Sequence, residues 1–169
     1  MAITFHRVTV PVLVRGLRIL RTYLDHAEAF ANEGNRSVEQ LLEARLAPDM
    51  MTFAGQIQRA SDAAKSGMAR VSGTKAPSFP DVEKTIDELR ERLDKTIGFV
   101  ESFGPQQVDG NEDVLTDVKQ PGGKEKTRAE DYILQITLPN FFFHVTTAHD
   151  ILRNQGVKIG KRDYLGQFS

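Results

Sequence analysis

Asn140-Phe-Phe-Phe-His144-Val-Thr-Thr-Ala-His149-Asp-Ile-Leu-Arg-Asn-Gln-Gly156 is the stretch on which the fold turns. Phe141, Val145, Ala148 and Leu152 step by four, three and four, the spacing that lays one apolar stripe along a helix. Gly156 suits its end. The segment therefore reads as the last helix of a bundle, with its stripe toward the core. Asn140 and His144 are four apart and line the flank of that stripe. His149 lies five beyond His144, about 140° round the helix at roughly 100° per residue. The two histidines point apart and cannot readily chelate one ion, as an i, i+4 pair can. His149 shares a face with Phe142, Thr146 and Arg153, expected on the outer surface or at a partner. The run Phe141-Phe142-Phe143 covers nearly the full circumference, which predicts packing on more than one side: core plus a dimer interface.

Three more amphipathic segments precede it. Leu13, Leu17, Leu20, Leu24, Ala27 and Ala31 predict a first helix from about Pro11 to Ala31, with Pro11 in its first turn or at a kink and Gly34-Asn35 at its end. Ser37-Val-Glu-Gln40 is a capping-box pattern that opens a short helix through Arg45. Ile57, Ala64, Met68 and Val71 mark a second long helix, with Pro48 near its start and Gly73 at its stop. Ser78 is the expected cap of a third, with Pro80 and Asp81 in its first turn. Val82, Ile86, Leu89, Leu93, Ile97, Val100 and Phe103 are its stripe. Its charged face, Glu83 to Lys95, reads as solvated. Gly104-Pro105 breaks it. Val114, Thr116 and Val118 alternate before Gln120-Pro-Gly-Gly123, which predicts a short β-hairpin or ordered loop. Thr127-Arg-Ala-Glu130 looks like another capping box, and Pro139 predicts a kink or break before Asn140. Tyr164, Leu165 and Phe168 are expected to pin the tail. Residues 1–169 read as one all-α, four-helix domain with that hairpin or loop between helices three and four.

A chain of 169 residues buries roughly 70% of its unfolded surface. Net charge of −1 and a pI near 6.4 argue against nucleic-acid binding. The absence of cysteine excludes disulfides, thiolate ligands and cysteine nucleophiles. No apolar run reaches the length of a membrane span, and Arg7, Arg15 and Arg18 interrupt what a signal peptide would need. The expected location is cytoplasmic. No phosphate loop or nucleophile elbow is present: Gln120-Pro-Gly-Gly-Lys124 lacks P-loop spacing. His6 and His26 lack helical partners and read as surface residues.

The run from His144 through Ile151-Leu-Arg153 to Gly156 resembles the end of the DinB/YfiT-like superfamily of metalloenzymes. Arg45-Leu-Ala-Pro-Asp49, Asp62-Ala-Ala-Lys65, Pro77-Ser-Phe, Leu138-Pro-Asn-Phe-Phe-Phe-His144-Val-Thr-Thr and Gly160-Lys-Arg-Asp-Tyr-Leu-Gly166 resemble, more narrowly, a bacterial domain-of-unknown-function family grouped with it. The resemblance implies a four-helix bundle, often dimeric, with a site inside it. In the metal-binding relatives one histidine of the second helix joins two on the last helix, four apart. His144 matches the second of that pair; Asn140 stands at the first. The second-helix position falls near Gln56, with Gln58 or Asp49 as alternatives. Asn and Gln are weak ligands for zinc or nickel, which prefer imidazole.

Gln56, Asn140, His144 and Asp49 are thus the candidate ligand-binding residues, and His144 the candidate metal ligand. Two functions compete. One is a cytosolic bundle that binds a small molecule or acts as a dimeric module, with a degenerate metal site, in which His144 is a core histidine bonded to Asn140, Gln56 or a carbonyl. The other is a hydrolase or thiol transferase using zinc, nickel or manganese. Asp49 beside Pro48 reads as a helix-starting carboxylate or a site acid.

Overall fold

The computed structural model describes residues 3–34, 36–120 and 123–166. Asn35, Pro121, Gly122 and Phe168, all named above, lie outside them. Four long helices make the frame: α1 (Phe5–Asn32), α3 (Phe53–Ser72), α4 (Ile86–Glu101) and α7 (Leu138–Asn154). Around the bundle α1 packs on α4 and α7, and α3 packs on the same two, so α1 and α3 face each other across the core. Short helices α2 (Val38–Leu42), α5 (Pro105–Val108), α6 (Ala129–Tyr132) and α8 (Lys161–Leu165) fill the connections. An antiparallel hairpin, β1 (Leu115–Gln120) with β2 (Gly123–Arg128), stands between α4 and α7 in the register Thr116↔Thr127 and Val118↔Glu125. Among the described residues no helix is long and apolar enough to cross a membrane.

The predicted stripes form the core. Leu13, Leu17, Leu20, Leu24 and Ala27 of α1 are fully buried, as are Ile57, Ala64 and Met68 of α3, Leu89, Leu93 and Val100 of α4, and Phe141, Val145, Ala148 and Leu152 of α7. Burial of this kind stabilises by roughly 25 cal/mol for each Å² removed from water. Close approach is set by Gly16, where an added Cβ would lie 2.3 Å from Phe141, and by Gly67, where it would lie 2.5 Å from Thr137.

Several boundaries differ from expectation. Helix α1 starts upstream at Phe5: Thr4 accepts from Arg7 N, and Asp109 accepts from His6 N at 2.7 Å, so two orphan donors of the first turn are met from outside. Pro11 consequently sits inside the helix on its exposed side. The Ser37/Gln40 capping box forms with both of its bonds, at 3.0 and 3.1 Å. Helix α3 begins at Phe53 under a Thr52 cap rather than near Pro48, and ends at Gly73 in the left-handed conformation. Helix α4 begins at Ile86, not at Ser78. Thr85 and Glu88 make the capping box, and residues 74–84 form an extended strap instead of a first turn. Val82 is accordingly exposed.

Thr127 lies in β2 and caps nothing; α6 has no side-chain cap. In place of a break before Asn140 the chain makes a π turn, Ile133–Thr137, and Pro139 follows it directly, so its missing N–H falls where the regular helical bonding is already offset. The tail is pinned by Tyr164, packed on the core, whose hydroxyl accepts from Thr146 at 3.1 Å, and by the Leu165 carbonyl, which accepts from Arg15.

Candidate functional site

A cleft of about 370 Å³ opens between α3 and α7. One wall is a stripe of α3 at helical spacing: Arg59, Asp62, Ala63, Ser66 and Arg70. The other carries Thr137, Asn140 and His144, with Tyr132 and Ile136 ahead of them and Met51 at the end near α2.

His144 is half-buried and bonded through Nδ1 to Gln56 Oε1 at 2.7 Å. Gln56 is buried, and its Nε2 donates to the Met51 carbonyl at 3.3 Å. That second bond turns the amide oxygen toward the histidine, so Nδ1 carries the proton and Nε2 keeps its lone pair. Burial, and after it the nearby positive charge of Arg59, holds the His144 imidazole below its ordinary pKa. It is the neutral form that stands in the cleft.

Of the other candidates, Asn140 lies exposed in the first turn of α7 and lines the cleft with His144. Gln58 turns away and donates to Glu83 at 2.9 Å. Asp49 is exposed in the turn ahead of α3; it neither starts that helix nor reaches the cleft. Gln56, Asn140 and His144 are therefore brought to one place, and Asp49 is not.

The groups present do not suit a divalent cation. The imidazole stands alone as a good ligand there; the Gln56 amide oxygen is already engaged with it, and amides such as Gln56 and Asn140 are weak, neutral ligands. The carboxylate in the wall, Asp62, is answered by Arg59 at 3.0 Å, Lys65 at 3.0 Å and Arg92 at 2.9 Å. Among the described residues no group of three histidines or carboxylates is placed to hold a metal.

Arg92 corrects the reading of α4 as solvated on its charged face. Its side chain is 1% exposed. It donates to Glu83 at 2.8 Å and to the Pro80 carbonyl at 3.2 Å, and pairs with Asp62 and with Asp81 at 3.0 Å. Its Nε is buried with no partner among the described residues. Burial alone would raise the Glu83 pKa; the bonds from Arg92, the backbone and Gln58 outweigh it and hold the carboxyl below its usual range. Lys65, also buried, lies 3.9 Å from the Phe79 ring centre and donates to the Pro77 carbonyl at 3.3 Å. Arg59 pairs with Asp81. These bonds clasp the strap 74–84 against α3 and α4, behind the cleft.

His149 is not an outer-face residue either: Tyr23, fully buried in α1, bonds its Nδ1 at 2.8 Å, and Tyr164 meets its ring edge-on. His6 is half-buried with Nε2 on the Phe103 carbonyl at 3.1 Å. The cleft arginines escaped the sequence reading because each has the form of a surface charge. Their common signal was the stripe 59, 62–63, 66, 70, which runs beside the apolar stripe of the same helix.

Fold and cleft together define a DinB-like helical bundle. Residues 5–165 match the family described as Domain of unknown function (DUF1993), and the chain belongs to that family. The crystal structure of a DinB family member protein from Shewanella denitrificans superimposes with a TM-score of 0.88 at 35% identity, over 96% of this chain and 92% of that one. No curated protein matches the chain.

Proposed function

We propose that this protein binds a small organic molecule in the α3/α7 cleft, where its metal-binding relatives would hold an ion, and that it does so without a metal. The Gln56–His144 hydrogen bond carries this reading. It engages His144 Nδ1 with an amide and leaves the Nε2 of a neutral histidine as a polar acceptor in the cleft, which supports a ligand other than a metal. A cleft of this size with a few convergent polar groups is the usual form of a small-ligand site.

The same reading takes the protein as a cytoplasmic homodimer. The dimer's support is the 56% exposure of Phe143, on the turn of α7 where three aromatic rings follow each other. Elemental mass spectrometry of tag-free protein, before and after soaking in zinc, nickel and manganese, tests the metal-free reading. No metal above background is the expected result. About one metal per chain, lost in His144→Ala, would overturn it and return the protein to the metal-dependent hydrolases or thiol transferases.

A further inference from the structure

We infer that the ligand of this cleft is an oxyanion, a carboxylate or a phosphate monoester, received at the Arg70 end; this rests on the cleft being the binding site proposed above. Arg59 and Arg70 are eleven residues apart on α3. That is three turns, about 16 Å along the axis and within roughly 20° of the same face. Both line the cleft, with Asp62 and Ser66 between them.

The two arginines are committed differently. Arg59 is held by Asp62 and Asp81 and closes the His144 end. Arg70 has no carboxylate partner among the described residues. Its Nε donates to the Asp117 carbonyl at 3.4 Å, and its guanidinium lies over the Tyr132 ring, 4.9 Å from the centroid. A guanidinium stacked on an aromatic face is already oriented, and most of its donors remain to fork onto an oxyanion.

Arg70 is the charge left over in this wall, because Arg59, Lys65 and Arg92 are matched by Asp62, Asp81 and Glu83. Asp62 already has three cationic partners, and among the described residues no other carboxylate lines the cleft. His144 adds no negative charge: it lines the cleft as an imidazole whose neutral form is favoured by burial first and by Arg59 second. Asn140 and Ser66 add neutral hydrogen-bonding groups along the same groove, and Ile136 an apolar wall.

The test is a titration of ¹⁵N-labelled protein at low salt with phenyl phosphate and benzoate, beside the uncharged benzamide and benzyl alcohol. Backbone amide shifts at Ser66, Asn140 and His144 report on the cleft. The expected result is that an anion binds there more tightly than either neutral probe. Arg70→Met should weaken it about 10- to 100-fold, and Arg70→Lys should recover part of the loss. The far-ultraviolet circular dichroism of both variants should match the wild type. Preference for phenyl phosphate over benzoate, or the reverse, separates the two oxyanion sources.

If the neutral probes bind as tightly as the anions, or Arg70→Met leaves anion affinity unchanged, the oxyanion inference fails while the ligand-binding reading stands. If no probe moves these amides in the wild type, both fall.

Discussion

His144 illustrates how a residue that looks like a ligand can be a structural hydrogen-bond donor, here from Nδ1 to the Gln56 amide oxygen. Its Nδ1 is spent on Gln56, and Gln56 is spent on Met51, so the pair is a short, half-buried relay. Removing the imidazole strands the Gln56 oxygen. His144→Ala should therefore lower stability by about 1–3 kcal/mol in urea unfolding, with unchanged helix content. A loss below a few tenths of a kcal/mol would show that the bond contributes nothing. Burial and then Arg59 hold His144 below the ordinary histidine value; His149 is also held below it, by burial first, with Asp150 opposing, Arg153 adding and Asp163 opposing. The unfolded chain takes up these protons before the folded one does. Stability should be full above about pH 6.5, fall as pH drops below it, and level off once the folded imidazoles also protonate. Urea midpoints at pH 7.5 and 5.5 measure the slope, and His144→Gln should make it shallower. That Gln56 and His144 belong together was readable from their positions against the family pattern. That Asp49 stays outside was not, because the start of α3 depends on Thr52 rather than on Pro48.

Helix α4 shows where local signals mislead. Ser78-Phe-Pro-Asp81 and Thr85-Ile-Asp-Glu88 both look like helix starts, and propensity alone does not choose between them. Tertiary charge does. Arg92, buried on the flank of the α4 stripe, draws Asp81 and Glu83 into the strap and leaves the cap to Thr85. Arg92→Met should cost about 2–3 kcal/mol: a broken buried pair costs more, but Asp62 and Asp81 keep partial access to water. The same change should open residues 74–84 to limited proteolysis, and an unaltered digestion pattern would remove the clasp from consideration. The α3/α7 approach makes a second element-level prediction. Gly67→Ala brings a methyl against Thr137, so thermal unfolding should show a loss of about 1–3 kcal/mol. No periodicity argument finds such a contact, because it joins a helix to a π turn that the sequence does not announce.

Across the molecule the four-helix plan was open to a reader of the sequence because each long helix carries a period-3.6 stripe over several turns, and the stripes from α1, α3, α4 and α7 are the core. The cleft was less open, since its arginines belong to a solvent-side stripe and become a site only when α7 is laid beside them. Assembly is tested at this level too. Phe143→Glu should convert a dimer to a monomer in light scattering, and an unchanged mass would exclude that ring from any interface.

The π turn at Ile133–Thr137 bears on the whole arrangement in another way. A π turn is an α-helix carrying one surplus residue, and that surplus offsets the angular phase of everything before it by about 100° against everything after. Tyr132 precedes it, while Asn140 and His144 follow, yet all three meet the same stripe of α3. Deleting a single residue there would leave a longer, more regular helix. It would also swing Tyr132, and with it the platform under Arg70, away from the groove that His144 still faces.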